Sequence, residues 1–562
     1  LRSLSKGPGA GPRICVVYPN TYLLGMSNLG FQSVCHLFDT HQNVSVERAF
    51  LPDPDEIEEY TRTGAPVISY ETKTPIGEFD IIAISLAFED DYFNIVKILE
   101  LAKVPVLVSE RGIGKRAGYD PIVLAGGVAC SLNPEPIADF IDLFIVGEAE
   151  GALHTFIDRL LELRQESGTR EATISGFDSL PFTYIPSLYG VEYDGVGIKS
   201  FVPKECAKAR IVATKNLDLD KFEIPRSYIY TPDTAFKETY LAEVERGCGR
   251  GCRFCAAGFL YLPPRNRAVE YVNEVVAEGA EVSGKVGLVG AAVSEYPEIK
   301  EVVEAGLAKG AAITLSSLRL DSLDAPFLNS LKEAGYKTVT MAPEAGTARL
   351  RAVINKGMDD SEILATVADV TAAGFTKIKL YFLIGLPTET DADALAIASL
   401  ALKVRAAMKS GMLHLSINPF VPKPSTPFQF HSFEEAGTID ARIASIKRAL
   451  KKERGITIKA LSAKEATVQA FLSRADRRAS EFILEAAETS PKRAMKRWMK
   501  SGKLVTESIY RTATEQEILP WDMIEHGLDK SYLWGEYRRG IEEKLTPPCV
   551  VGSCTRCGVC IG

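Results

Sequence analysis

Three cysteines within eight residues, Cys248, Cys252 and Cys255, stand in the stretch Glu245-Arg-Gly-Cys-Gly-Arg-Gly-Cys-Arg-Phe-Cys-Ala-Ala-Gly258. Spaced by three and then two residues, their thiolates can hold three irons of a four-iron cubane and leave the fourth iron without a protein ligand, whereas electron-transfer clusters take four cysteines. An iron with a vacant position is a place to do chemistry. The alternative is a zinc knuckle, which needs a fourth ligand close by, and the nearest histidines, His154 and His414, are distant in the chain. A second group closes the sequence: Cys549, Cys554, Cys557 and Cys560, spaced by four, two and two residues. Such a run can wrap one cubane, with zinc again the alternative, although zinc sites usually combine two well-separated ligand pairs. Fully liganded iron in the tail would relay electrons or clamp the chain; with one cysteine free it would bind substrate.

The first spacing, the aromatic Phe254 before the third cysteine and the Gly/Arg-rich loop resemble the signature of the radical S-adenosylmethionine (AdoMet) enzymes. The resemblance implies that the open iron takes the amino and carboxylate groups of AdoMet. One electron then cleaves the sulfonium to a 5′-deoxyadenosyl radical that abstracts a hydrogen atom. It also implies a one-electron donor such as flavodoxin or ferredoxin.

Such a loop must be delivered by a framework, and the flanking sequence alternates strand and helix signals. Arg13–Tyr18, Asp80–Leu86, Pro121–Gly127 and Leu143–Gly147 read as continuous apolar strands separated by helical stretches such as Tyr92–Ala102. That pattern predicts an α/β, doubly wound Rossmann-like domain with a parallel sheet covered on both faces. Its ligands lie at the carboxyl ends of the strands, where Ser85, Gly126, Gly127 and Gly147 fall. The order of these glycines, Asn133-Pro-Glu-Pro136, Asp142 and Gly147-Glu-Ala-Glu150 resembles the cobalamin (B12)-binding domain that precedes the AdoMet domain in one radical AdoMet class. The Asp-x-His-x-x-Gly that supplies a lower imidazole in that domain is absent. Either cobalamin binds with no protein imidazole below the cobalt, or the domain keeps the fold without the cofactor.

Regular alternation returns after a Pro-rich segment. Thr239–Glu245, Val286–Gly290, Ala312–Leu318, Thr338–Ala342, Lys377–Ile384 and His414–Asn418 read as six strands, hence an open (β/α)6 partial TIM barrel with its chemistry at the carboxyl ends. Each end offers a residue suited to AdoMet: Gly290 and Ser294 (or Glu295), where the resemblance implies a Gly-Gly-Glu-like segment; Ser316, Ser317 and Arg319; Glu344; and Gly385, in a segment that resembles the family's adenine-packing one. Arg319 and Glu344 read alternatively as solvated loop charges or salt-bridge partners. Small residues expose backbone, and Arg suits a bidentate grip on a carboxylate. From Phe433 the pattern is helical. Between Arg442 and Lys503 it carries 17 Lys/Arg against 6 Asp/Glu, either a surface that steers RNA or a phosphorylated small molecule, or a solvated helix face. The expected divisions are a Rossmann-like B12-binding-like domain at 1–180, a linker at 181–235, the partial barrel at 236–432, a basic helical region at 433–545 and a cluster tail at 546–562.

Composition agrees with a soluble globular chain: 562 residues, 46% hydrophobic, 25% charged, net charge −8. No apolar run approaches the roughly 18 residues of a membrane helix, and Leu1–Pro8 lacks a signal peptide's apolar segment. Apart from its two clusters the chain has four single cysteines, Cys15, Cys35, Cys130 and Cys206, which make no disulfide framework and point to a reducing, anaerobic cytoplasm. Over nearly its whole length the sequence resembles radical AdoMet proteins with an N-terminal B12-binding-like domain and a Cys-rich tail. Besides the glycine and cysteine segments, Ala342-Pro-Glu-Ala-Gly346 and Pro520-Trp-Asp522 carry that resemblance. It implies attack on an unactivated C–H bond, with methyl transfer from methylcobalamin as the leading outcome. The rivals are a cobalamin-free reaction that forms a C–C bond or inserts sulfur with help from the tail, and an RNA-binding scaffold with an inert cluster.

Overall fold

The structure, a computed structural model, describes residues 11–112, 120–166, 169–204, 207–316, 318–319, 322–408, 410–501 and 503–560. Cys206, Ser317 and Leu1–Pro8 lie outside the described residues. Strands β1 (Arg13–Tyr18), β2 (Ser45–Phe50), β3 (Ile81–Ser85), β4 (Ile122–Gly126), β5 (Leu143–Ile145) and β6 (Thr183–Tyr184) form one sheet in the order β2-β1-β3-β4-β5-β6. All its pairs are parallel except β5 with β6. The apolar strands are buried on both faces, as the sequence pattern predicts. β2 is an addition to that reading, because Glu47 and Arg48 interrupt its apolar run. Arg48 Nε donates to Glu71 at 2.7 Å, and Glu47 accepts from the Thr72 hydroxyl at 2.7 Å, so both charges are buried with partners.

The Pro-rich segment carries a hairpin, β7 (Tyr189–Asp194) with β8 (Gly197–Pro203), and then β9 (Ile211–Val212). Two parallel sheets follow. One contains β10 (Tyr240–Glu243), β13 (Lys285–Val289) and β14 (Ala312–Leu315); β11 (Glu245–Arg246) and β12 (Arg265–Asn266) pair between the first two. The other contains β15 (Val339–Glu344), β16 (Lys377–Ile384), β17 (Met412–Pro419) and β18 (Ile456–Ala460). Among the described residues no ladder joins β14 to β15. The six-strand expectation gains a seventh member, β18, inside the stretch read as helical: it is a short edge strand among helices, and five alternating residues leave a weak signal.

The remaining C-terminal region is helical, with Ala436–Leu450, Ala463–Arg474, Ser480–Glu488, Pro491–Ser501, Lys503–Tyr510 and Lys530–Ile541, and returns through β19 (Ile524–Glu525) to pair with β9. It packs back on the first sheet: Phe482 meets Phe93 edge-on at 6.0 Å, and Asn133 Nδ2 donates to the carbonyls of Ser473 and Ala475. Glu135, fully buried, is held by Arg477 at 2.9 Å. The Asn133–Pro136 segment therefore joins regions. Part of the basic excess is likewise internal, since Arg442 pairs with Glu389, Asp391 and Glu434, and Arg478 with Asp476. Lys447, Arg448, Lys451, Lys452 and Arg454, at the amino end of β18, are exposed. Among the described residues no helix is long and apolar enough to cross a membrane.

Candidate active site

The carboxyl end of β10 delivers the cysteine loop, and the β11–β12 pairing closes its base. Within it the Cys255 amide donates to the Cys252 carbonyl at 3.0 Å, and the Asn355 amide group donates to the carbonyls of Arg250 and Gly251. The three thiols are half-buried. Burial, then the charges of Cys252 and Cys255, push Cys248 up to about 11; burial and Cys252 raise Cys255. Thiolates this close repel one another, and a bound cation reverses that balance. Among the described residues no three His, Cys, Asp or Glu side chains converge tightly enough for a single metal ion. A cubane sets its thiol ligands at separate corners and so takes a wider ring.

Arg253, between the second and third cysteines, is fully buried. Its guanidinium donates to the Ala352 and Val353 carbonyls, at the end of the helix Ala348–Val353, and to Glu536, the Lys544 carbonyl and the Thr546 hydroxyl. It thus satisfies helix-end carbonyls while tying the loop to the C-terminal helix and tail. Phe254, partly buried, packs against the apolar cluster that contains Phe259, Val353 and Phe428.

At the neighbouring strand ends, the Gly290 carbonyl accepts from Ser316 at 3.0 Å, and the buried Ser294 hydroxyl accepts the Arg319 amide at 2.9 Å. Arg319 pairs with Glu295 at 2.7 Å, and Glu295 also pairs with Arg250 of the cysteine loop. Glu344 ends β15 at φ 66°, 3.8 Å from Lys356, its carboxyl raised by burial. Gly385, after β16, donates its amide to Glu389 at 2.5 Å and is backed by Glu434. One cavity of about 590 Å³ opens beside Cys252, Arg250, Arg319 and Lys356 and is bounded by Leu545–Pro548 of the tail.

A second cavity, of about 490 Å³, lies where the carboxyl ends of the first sheet meet those of β10 and β13. Ser85, Gly126, Gly127 and Gly147 line one side; Gly290 and the residues flanking the cysteine loop, Gly247 and Ala257, line the other. Gly127 (φ 109°) and Gly147 (φ 103°) need left-handed backbone, and a side chain there would strike the Leu86 carbonyl or Thr214. Glu148 and Glu150 at the rim are held by Arg265 and Arg246. Glu245 differs: it accepts the Ala292 amide, and burial pushes its carboxyl up to about 7. No histidine among the described residues lines this cavity. His36, in the helix Leu29–Thr40, stacks on Tyr228 at 3.8 Å.

Family comparison joins these two halves. The family described as "Radical SAM proteins, N-terminal" matches residues 30–186, and the radical SAM superfamily matches residues 243–401. The uncharacterized protein MJ0966 of Methanocaldococcus jannaschii is 30% identical over 476 residues, 84% of this chain and 90% of that protein. The chain belongs to the radical SAM superfamily. It is a radical SAM enzyme, whose family chemistry requires a four-iron cluster, AdoMet and an electron donor. Among solved structures, the radical AdoMet methyltransferase TsrM of Kitasatospora setae, with cobalamin and [4Fe-4S] bound, is 13% identical over 85% of this chain and 99% of its own, with a TM-score of 0.49. The cobalamin-dependent enzyme OxsB is 11% identical over 95% and 80%, with a TM-score of 0.47.

In this radical SAM chain the structure brings the three loop cysteines together and sets Gly290, Ser294, Ser316 and Arg319 on adjoining strand ends. Ser85, Gly126, Gly127 and Gly147 share the interdomain cavity, whereas Gly385 stands against Glu434 and Glu389. Arg253, Asn355 and Glu245 were not singled out from sequence. Their partners, apart from the Gly290–Ala292 turn facing Glu245, lie about a hundred or more residues away, beyond any local pattern.

Proposed function

We propose that Cys248, Cys252 and Cys255 hold the AdoMet-cleaving cluster, and that the radical acts on an unactivated C–H bond of a substrate in the interdomain cavity, with a methyl group delivered through cobalamin. The observation that carries this reading is that one cavity touches both flanks of the cysteine loop and the glycine-cleared strand ends of the first sheet. The donor set fits iron: three soft thiols, half-buried, are carried close to one another on a single loop. The cavity fits a cofactor bound without a protein imidazole, because Gly126, Gly127 and Gly147 put no side chain into it and, among the described residues, no histidine lines it. When bound, the cluster with AdoMet supplies a carbon radical and cobalamin a methyl carrier.

The chain's own residues do the positioning. Asn355 and Arg253 fix the loop, and Glu295 holds Arg250 and Arg319 so that AdoMet meets a preset pair of cations. Glu245, whose carboxyl titrates near neutral pH, can take or return a proton at the cavity wall. The four tail cysteines hold a second four-iron cluster. Anaerobic reconstitution followed by cofactor extraction tests the methyl-transfer part: about one cobalt per chain and a methylated product are expected. Iron without cobalt would remove cobalamin and leave the cobalamin-free radical reaction.

A further inference from the structure

The tail lies on the cysteine loop backbone to backbone. The Cys549 amide donates to the Gly249 carbonyl at 2.7 Å, and a side chain at Gly249 would crowd the Cys549 carbonyl at 3.3 Å. Gly249 adjoins Cys248, so a tail ligand and a loop ligand are one contact apart. Two side chains hold that contact from both sides. Asn355 takes the loop carbonyls with its amide hydrogens and the Thr546 amide with its oxygen at 2.8 Å. Arg253 donates to the Lys544 carbonyl at 2.7 Å and to the Thr546 hydroxyl at 3.1 Å. These bonds hold the loop and the tail against one another.

The four tail thiols lie within electrostatic reach of one another. Their burial is graded: Cys557 is buried under the Asp529 amide that donates to its carbonyl, Cys549 and Cys554 are half-buried, and Cys560 is exposed. At the exposed side, Val550 and Val551 stand 62% and 55% in solvent, and Arg556 of the same segment, exposed, reaches the Cys554 sulfur and the Pro547 and Pro548 carbonyls. A small apolar spot with a cation in the same segment suits brief contact with an acidic protein.

We propose that the tail cluster is the electron entry port, which receives single electrons from an acidic one-electron carrier protein docking at Val550–Cys560 and passes them across the Cys549–Gly249 contact to the loop. This rests on the reading that the loop cleaves AdoMet. The carrier is oxidised by one electron. That electron crosses both clusters and enters the sulfonium, whose S–C5′ bond breaks to leave methionine and the 5′-deoxyadenosyl radical, with no proton exchanged.

The test uses the full-length, anaerobically reconstituted chain and two reductants, titanium(III) citrate, which needs no docking, and a reduced flavodoxin. Loop-cluster reduction is followed by electron paramagnetic resonance and AdoMet cleavage by 5′-deoxyadenosine. In Cys560→Ser, and independently in Val551→Glu, the ratio of flavodoxin-driven to titanium-driven loop reduction is expected to fall about tenfold or more. An unchanged ratio in both variants overturns the relay, as does a single zinc in the tail. If titanium reduces the loop cluster and no 5′-deoxyadenosine forms, the AdoMet reading fails, while the ratio still judges the relay.

Discussion

Replacing Cys252 by alanine is expected to abolish 5′-deoxyadenosine formation and to remove about four of about eight irons from the anaerobically reconstituted chain. The side chain is half-buried and borders the cavity of about 590 Å³. Its loss therefore opens no core void, and the structural bond of this residue, the carbonyl accepting from Cys255 at 3.0 Å, belongs to the backbone. The fold should survive and the tail should keep its irons. Iron analysis and product chromatography on the same preparation check both halves of this expectation. Full iron and undiminished cleavage in the variant would mean that another group ligates the metal.

The second large effect is expected at Arg253. Breaking a buried ion pair by removing one partner costs roughly 3–5 kcal/mol, because the other charge stays buried. Arg253→Met leaves Glu536, itself only 5% exposed, with just the Thr546 hydroxyl and Arg539 at 3.7 Å as partners, and strips the Ala352, Val353 and Lys544 carbonyls of the arginine donor. Trp521 lies in the apolar cluster on which Phe254 packs, and Trp534 packs against it, so two of the three tryptophans report the loss by their fluorescence in urea. The midpoint should drop sharply, and the double variant Arg253→Met with Glu536→Leu should recover part of it. A single variant as stable as the parent would show that the arginine neither holds the loop nor joins it to the tail.

The contrast between these two residues shows how far the sequence was legible. The cysteines announce themselves through spacing, and β16 through an eight-residue run whose neighbours on both sides keep it in the sheet. β2 and β18 were missed, the first because its charges find buried partners that only tertiary structure supplies, the second because an edge strand needs few apolar residues. Arg319 reads from sequence as a carboxylate grip or a salt-bridge partner, and only the structure supplies Glu295 as the partner of its Nε. Arg253 carries no local mark at all, since the groups it binds stand as much as 293 positions away. Spacing is visible in one dimension; the bonds that hold a spaced motif in place are not.

One iron at the cysteine loop is expected to have no protein ligand and to receive AdoMet. Electron paramagnetic resonance of the reduced chain, recorded before and after AdoMet is added, tests it most directly. A changed loop-cluster signal in the parent, absent from Cys252→Ala, is the predicted result. A signal indifferent to AdoMet, or a loop that binds zinc, would contradict it.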